Sequence, residues 1–411
     1  MIRKIDIREL RAGMYVHDIN CSWVAHPLYP TRFKVKSDQE IEKLIELGVS
    51  SVYIDSAMGD DAPHAATQDE VRLSVEAALL KIAEAPGTKG NAQGISTREE
   101  LASAMQIHKE ANQTIQQVMS DIRLGRQSEM ESIEPAIQGI VDSVFRNSGA
   151  LIQLGGIRSK DQYTFAHSVN VSALLAAFAR TMKLGNDITR QLSIGGMLHD
   201  IGKMRVPDAI LNKPERLTEG EFEEMRRHVQ HGVDILGGVS WIAPISLQVT
   251  AQHHERYDGS GYPGGLKGDQ ISQFGQMATI VDVYDAITSA RVYHQAMPPA
   301  LAIRKIQEWS GQYFNEELVG HFVRSVGIFP LGTLVRLESG LLAVVVEHSG
   351  ASLLNPVVRV VYDTGKRNRV EPYDLDLSQQ SADRIAGYES PGKWGVDPAG
   401  FLTVAEGTTV H

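Results

Sequence analysis

Cysteine is almost absent: Cys21 is the only one in 411 residues. A lone thiol excludes an intramolecular disulfide and any cysteine-built zinc site, and it fits a reducing, cytoplasmic setting. Long apolar runs are missing too. No stretch reaches the roughly 18 consecutive apolar residues of a membrane span. The run Ala173–Ala179 is too short and reads as a buried helix face, so no membrane insertion is expected. The opening Met1-Ile2-Arg3-Lys4-Ile5-Asp6 carries no apolar signal core. Positive charge is not in excess: 40 Lys and Arg face 50 Asp and Glu, a net charge of −10. That leaves no bulk basic field for duplex nucleic acid. What is present is ordinary for a soluble globular chain, with 42% hydrophobic and 22% charged residues. The length suffices for two to four domains and a sizeable core.

Residues 1–60 read as a small α/β domain. Met14-Tyr15-Val16, Arg32-Phe33-Lys34-Val35 and Ser51-Val52-Tyr53-Ile54 have strand character. Ser37-x-x-Glu40 reads as a capping box for a helix over 38–47, with Gly48 at its C′ position. Cys21 and Trp23 read as packing residues. Residues 61–128 read as linker and helices, with Thr67-x-x-Glu70 and Ser96-x-x-Glu99 as helix starts and Pro86-Gly87-Thr88-Lys89-Gly90-Asn91 as the linker itself. The stripe Leu101, Met105, Ile115, Val118, Met119, Ile122 suits a core face. It suits a homodimer face equally, and the sequence leaves the two open.

From 129 to 330 the pattern is helix after helix. Helices are expected over 161–183, 187–204, from the Thr218-x-x-Glu221 box through His228, over 242–255, and over 272–290, with Pro298 starting another. The glycine-rich stretch 256–268 between them reads as a loop. After Pro330 the pattern changes to strands over 334–337, 342–346 and 357–361, a small β appendage, followed from about Ser378 by a tail with little periodicity. The expected fold is therefore mainly α: a helical bundle flanked by a small N-terminal α/β domain and a small C-terminal β appendage.

Within the helical stretch lies Met197-Leu198-His199-Asp200-Ile201-Gly202-Lys203, a histidine, a carboxylate and a lysine within five residues. His167 precedes it, and His228, His253-His254-Glu255 and Asp282 follow. Each such position, taken singly, is better read as a core or surface residue. Five of them on helices or helix ends suit a metal site assembled by a bundle. His231, His294 and His321 lack such spacing. A carboxylate can bridge two cations and an imidazole cannot, which makes Asp200 the candidate bridge of a two-metal site for phosphoryl displacement. Lys203, one helical turn after His199, is placed to hold a phosphate oxygen.

The motif His199-Asp200-Ile201-Gly202-Lys203, with His253-His254-Glu255-Arg256-Tyr257-Asp258-Gly259-Ser260-Gly261-Tyr262-Pro263, closely resembles the HD-GYP family of cyclic di-GMP phosphodiesterases within the HD hydrolases. The likeness covers about residues 130–330. Leu10–Val16 and Val52–Asp55 also resemble the small N-terminal domain found in one branch of that family.

The resemblance implies a bacterial signalling enzyme that cleaves cyclic di-GMP to pGpG, with further cleavage to GMP compatible with the family. It implies two divalent metal ions, iron or manganese before zinc. One ion would take His167, His199, Asp200 and Asp282; the other would share Asp200 and add His228, His253 and His254. An activated hydroxide would attack phosphorus, with Asp200 and Lys203 as catalytic residues and with Lys203, Arg291, Gly261, Tyr262 and Pro263 about the substrate. Some members hold a third metal with a glutamate four residues before the first histidine. Tyr163 stands there, so a binuclear site is expected. His294 replaces a basic residue that often follows the phosphate-binding arginine. Glu255 is expected to orient a ligand histidine. The alternative is a catalytically weak cyclic di-GMP sensor or adaptor that binds GGDEF diguanylate cyclases through Gly261-Tyr262-Pro263.

Overall fold

The computed structural model describes residues 1–21, 32–85, 95–126, 129–155, 163–289, 296–348, 352–379 and 383–402. Trp23, the 86–91 linker, Arg291 and His294 lie outside the described residues.

At the N-terminus, β1 (Ile2–Asp6), β2 (Tyr15–Asp18), β3 (Phe33–Lys34) and β4 (Ser51–Asp55) form an antiparallel sheet ordered β1-β4-β2-β3. Helix α1 (Asp38–Glu46) precedes β4 and presents Ile41 and Leu44 to a core that includes Met14, Val16, Val52 and Ile54. Gly48 ends it at φ +73, the left-handed conformation that a glycine adopts without steric cost. The expected capping box does not form. Ser37 makes no side-chain cap, and Glu40 accepts from Lys36 N at 2.7 Å instead. At the other two N-terminal sites the boxes are complete. Thr67 opens α2 (Gln68–Glu84), and Ser96 opens α3 (Thr97–Arg123).

The helical part continues with α4 (Glu134–Arg146), α5 (Ser148–Gly155), α6 (Tyr163–Thr181), α7 (Asn186–Leu198), α8 (Asp208–Leu211), α9 (Glu219–Arg226), α10 (His228–Leu236), α11 (Pro244–Gln252), α12 (Gln273–Thr288), α13 (Pro299–Glu308) and α14 (Glu316–Val326). The helix expected to run from the Thr218 cap through His228 is two, broken at Arg227. His228 therefore heads α10 rather than sitting inside a longer rod. On α3, Leu101, Ala104, Ala111, Ile115, Val118 and Met119 are buried, and the helix packs against α4, α5 and α6, so its stripe serves the core. Met105 stays 53% exposed.

The C-terminal sheet has five antiparallel strands, β5 (Leu334–Leu337), β6 (Leu341–Glu347), β7 (Val357–Asp363), β8 (Asn368–Asp376) and β9 (Ile385–Tyr388), ordered β8-β7-β6-β5-β9. The stretch after Ser378 is thus not a bare tail. It contributes β9, then the short helix α15 (Pro391–Trp394) and a 3₁₀ turn Pro398–Phe401. Val335, Ala343, Val345, Val358 and Val360 join the core of α6, α12 and α14. The sheet and the bundle thus share one apolar interior.

The N-terminal sheet is fastened to α13 and the turn after it by polar contacts. Glu308 accepts from Lys4 Nζ and Tyr53 Oη, each at 2.8 Å. The buried Trp309 Nε1 donates to Asn20 O at 3.1 Å, and Ser50 N donates to Tyr313 Oη at 3.1 Å. Among the described residues no helix is long and apolar enough to cross a membrane.

Candidate metal centre

Close helix packing assembles the centre, and glycines make it possible. On α7, a Cβ at Gly196 would lie 3.0 Å from Ser172 Cα of α6, and one at Gly195 would lie 2.7 Å from Val249 Cβ of α11. The two glycines let α7 run tightly between α6 and α11. Ser172 Oγ and Ser246 Oγ then donate to α7 carbonyls, Ser193 O at 2.8 Å and Gln191 O at 2.7 Å. This brings His199, at the end of α7, beside His167 of α6 and His253 at the end of α11; the ring centroids are 5.1 and 4.9 Å apart.

After His199 the chain tightens into a 3₁₀ helix, Ile201–Arg205. Residues three apart eclipse in that geometry. Lys203 therefore meets Asp200, with Nζ 2.6 Å from Oδ2, rather than lying over His199. Gly202 has no room for a side chain: a Cβ there would overlap the backbone of His228 and of Gly232. That contact seats α10 and carries His228 into the centre.

All seven sequence-derived His/Asp positions converge and are buried. Their ligand-capable atoms fall into two groups, His167, His199 and Asp282 in one and Asp200, His228, His253 and His254 in the other. Asp200 faces both ways. Its Oδ1 is 3.4 Å from His228 Nε2 and 3.9 Å from His253 Nε2; its Oδ2 is 3.3 Å from His199 Nε2 and 3.8 Å from His167 Nε2. Asp282 Oδ1 lies 3.0 Å from His167 Nε2, and its Oδ2 lies 3.8 Å from His254 Nδ1.

The tautomers follow from the outer contacts. His199, His228 and His253 each point Nδ1 at a backbone carbonyl: Gly196 O at 2.7 Å, Met225 O at 2.7 Å and Thr250 O at 2.8 Å. A carbonyl only accepts, so each Nδ1 carries the proton and each Nε2 offers its lone pair inward. Burial, above all, pushes His228 down to about 4 and His253 to about 3. Burial with the neighbouring His253 and His228 takes His254 well below the usual value. These rings are neutral near pH 7. Burial alone would raise Asp200, but Lys203 and His199 more than reverse it, and the carboxyl is held well below the usual range. Asp282, by the same balance with His167 foremost, falls to about 2. The result is inward-facing lone pairs around two carboxylates.

Three of the inward atoms, His199 Nε2, Asp200 Oδ1 and Asp282 Oδ2, are buried with no hydrogen-bond partner. Buried polar atoms without partners are costly. A divalent cation in each group would satisfy them, and the all-imidazole and carboxylate donor set suits one. The residues present fit a metal centre.

Asp285, which the sequence reading passed over, supports His167 from behind: Oδ2 is 2.7 Å from His167 Nδ1. With Asp282 it makes an i, i+3 pair on one face of α12, and that spacing was the available signal. Glu255 does not orient a ligand histidine as expected. Its carboxylate accepts from Gly264 N at 2.7 Å and Leu266 N at 2.9 Å, fixing the glycine-rich loop. The loop in turn closes over the paired histidines. Tyr262 N donates to His254 O at 3.1 Å, the Tyr262 ring centroid lies 4.6 Å from that of His254, and the Arg226 guanidinium carbon lies 4.7 Å from the Tyr262 ring centroid. Gly261 is needed there, since a Cβ would come within 2.5 Å of His254 O. Pro263 follows through a cis peptide bond. Lys203 is the one cation of the motif, its side chain 19% exposed. His231 and His321 stand outside both groups.

Residues 154–318 match the model of the HD domain, and residues 2–133 match a domain of unknown function, DUF3391. The chain is 38% identical over 396 residues to a cyclic di-GMP phosphodiesterase of Pseudomonas aeruginosa, covering 96% of this chain and 94% of that one. It is 37% identical over 166 residues to a cyclic di-GMP phosphodiesterase of Thermotoga maritima, covering 40% of this chain and 45% of that one. Among solved structures, an HD-GYP protein of Bdellovibrio bacteriovorus aligns with a TM-score of 0.45 at 17% identity, over 78% of this chain and 98% of that one. On the full-length likeness and the HD-domain match, the chain belongs to the HD-GYP family of cyclic di-GMP phosphodiesterases.

Proposed function

We propose that this protein hydrolyses cyclic di-GMP to pGpG, and pGpG onward to GMP, at a binuclear centre of iron or manganese. The observation that carries the reading is the position of Asp200, each of whose oxygens faces a different group of inward histidines. His167, His199 and Asp282 would hold one cation and His228, His253 and His254 the other, with Asp200 shared. Bound there, divalent cations supply Lewis acidity against the phosphoryl oxygens and acidify the attacking water.

The chain's own residues supply the rest. Asp200 and Asp282 hold negative charge in a buried place where a dication is the natural partner. Asp285 and the carbonyls of Gly196, Met225 and Thr250 lock the imidazole orientations, so little reorganisation accompanies binding. Lys203 is held against Asp200 by its ammonium, on a side chain 19% exposed beside the centre, where it would meet the charge that develops on phosphate. In the balanced step, water oxygen bonds to phosphorus, the P–O3′ bond breaks, and the departing 3′-oxygen takes a proton. Tyr262 closes one side of the centre, and Arg291 is assigned to a substrate phosphate on the family resemblance.

The test is product analysis. Protein purified without oxygen and supplied with Fe(II) or Mn(II) is given cyclic di-GMP, and the nucleotides are separated. The expected result is pGpG followed by GMP, with no turnover in Asp200→Ala. Intact substrate in the presence of protein with both metals bound would overturn the reading.

A further inference from the structure

Four of the five inward histidines are held from behind by a hydrogen bond: His167 by Asp285, and His199, His228 and His253 by backbone carbonyls. Such outer partners fix the ring before a cation arrives. His254 is the exception. Among the described residues its ring has no hydrogen bond, and its Nδ1 stands 3.8 Å from Asp282 Oδ2. Some other contact must orient it.

The ring is surrounded by rings. Those of His253 and His228 lie 4.1 and 5.1 Å away, centroid to centroid, and belong to the same ligand group. Tyr262 stands outside that group. Its ring is 4.6 Å from that of His254 at an interplanar angle of 31°, close to a stacked pair. Tyr262 is itself only 9% exposed.

Arg226 seats the Tyr262 ring. Its guanidinium carbon lies 4.7 Å from the Tyr262 centroid and 5.1 Å from that of Phe222, one turn earlier on α9. Both fall within the roughly 6 Å reach of a cation–π attraction. Arg226 Nη1 also donates to Glu223 Oε1 at 3.1 Å, but that glutamate side chain is 68% exposed. An exposed ion pair holds little, so the two rings set where the guanidinium stands. Its place in the chain matters too. Arg226 ends α9 and adjoins Met225, whose carbonyl orients His228. The last turn of α9 therefore reaches two ligands of one group, His228 through Met225 O and His254 through Arg226 and Tyr262.

We propose that Arg226 is a positioning residue for the cation held by Asp200, His228, His253 and His254: its guanidinium seats the Tyr262 ring, and that ring orients His254 where the other histidines have a hydrogen bond. The inference rests on the two-cation reading of the centre. It requires a positive charge over the ring, so lysine can substitute and a neutral side chain of similar length cannot.

The test is metal binding by the full-length protein. Metal is stripped with EDTA, the EDTA is removed, and Mn(II) is titrated in while electron paramagnetic resonance reads the free ion. The wild-type protein should take two equivalents. Arg226→Met keeps the aliphatic stem and loses the charge. It should weaken one equivalent about tenfold, leave the other unchanged, and leave the melting temperature in EDTA unchanged. Arg226→Lys should restore most of the lost affinity. If Arg226→Met does not fold, Arg226→Gln decides. Asp285→Asn, behind His167, should weaken the other equivalent, and the double variant both. Two unchanged affinities in Arg226→Met overturn the proposal. So does weakening of both equivalents together with a lower melting temperature in EDTA, because Arg226 then serves only the fold. A wild-type protein that takes fewer than two equivalents overturns the two-cation reading and this proposal with it. Two equivalents in the wild type, one of them lost in Arg226→Met and regained in Arg226→Lys, support the proposal even if cyclic di-GMP is left intact.

Discussion

Arg256 Nη1 donates to Gly48 O at 3.1 Å, across 208 positions of sequence. The arginine directly follows His253-His254-Glu255, and the carbonyl lies just past the end of α1 in the N-terminal α/β domain. Tyr313 joins them: its hydroxyl donates to Gly48 O at 3.3 Å, and its ring lies 5.0 Å from the Arg256 guanidinium carbon. The N-terminal domain is therefore in direct contact with the segment that carries two of the candidate metal ligands.

Gly48→Ala tests that joint. Gly48 sits at φ +73, where an L-residue costs about 1–2 kcal/mol. The added Cβ would also lie 2.8 Å from Arg256 Nη1 and 2.9 Å from Ser260 Cβ. The urea midpoint should fall by at least the backbone cost, and turnover should fall with it because Arg256 is displaced. Full activity in the destabilised variant would show that the joint does not reach the centre.

Asp285→Asn tests the support of His167. The amide cannot match a carboxylate at 2.7 Å from Nδ1. Metal affinity should drop about 10–100-fold, read by Mn(II) titration, while the circular dichroism spectrum is unchanged. Unaltered affinity would reduce Asp285 to a packing residue.

Chelation should destabilise the fold. With metals removed, two carboxylates and several inward lone pairs remain buried against one another. Ligand at about 100 times its Kd adds about 2.7 kcal/mol, so Mn(II) should raise the melting temperature measurably over an EDTA-treated sample. Identical curves would mean that the buried centre holds no ion.

Glu308 gives a pH dependence with a definite sign. Burial alone would raise its pKa, but Lys305 and Lys4 more than reverse that, and the net shift is downward. A carboxyl depressed in the folded state stabilises above its unfolded pKa, and that stability is lost as pH falls through the folded value. Glu308→Gln should cost about 2 kcal/mol at pH 7. The gap to wild type should close as pH falls below about 4.3, followed by urea denaturation across that range. A gap that stays constant would place the effect in packing rather than charge.

The strands that sequence reading missed share one property. β1, β8 and β9 are all edge strands of their sheets. An edge strand is paired on one side only and tolerates charge, so Ile2–Asp6 and Asn368–Asp376 carry little apolar alternation. The inner strands β4, β6 and β7 are apolar runs and were legible. The capping boxes divided similarly. Thr67, Ser96 and Thr218 close theirs, whereas Ser37 has the pattern but Glu40 bonds to Lys36 N. A local pattern proposes such a bond; the path of the preceding chain decides whether it forms.

At the centre, the division runs between chemistry and placement. Residue types and spacing drew attention to His/Asp positions on helices or helix ends, and the family resemblance assigned the set of seven and Lys203. Imidazole and carboxylate carry their ligand chemistry wherever they stand, and helical periodicity is local. Only the tertiary structure decided that Asp285 rather than Glu255 backs a histidine, and that Lys203 turns onto Asp200. It alone showed that Gly195, Gly196 and Gly202 let helices approach closely enough to gather the set. Those are distances between segments far apart in the chain, set by how side-chain volumes pack, and no single segment contains them.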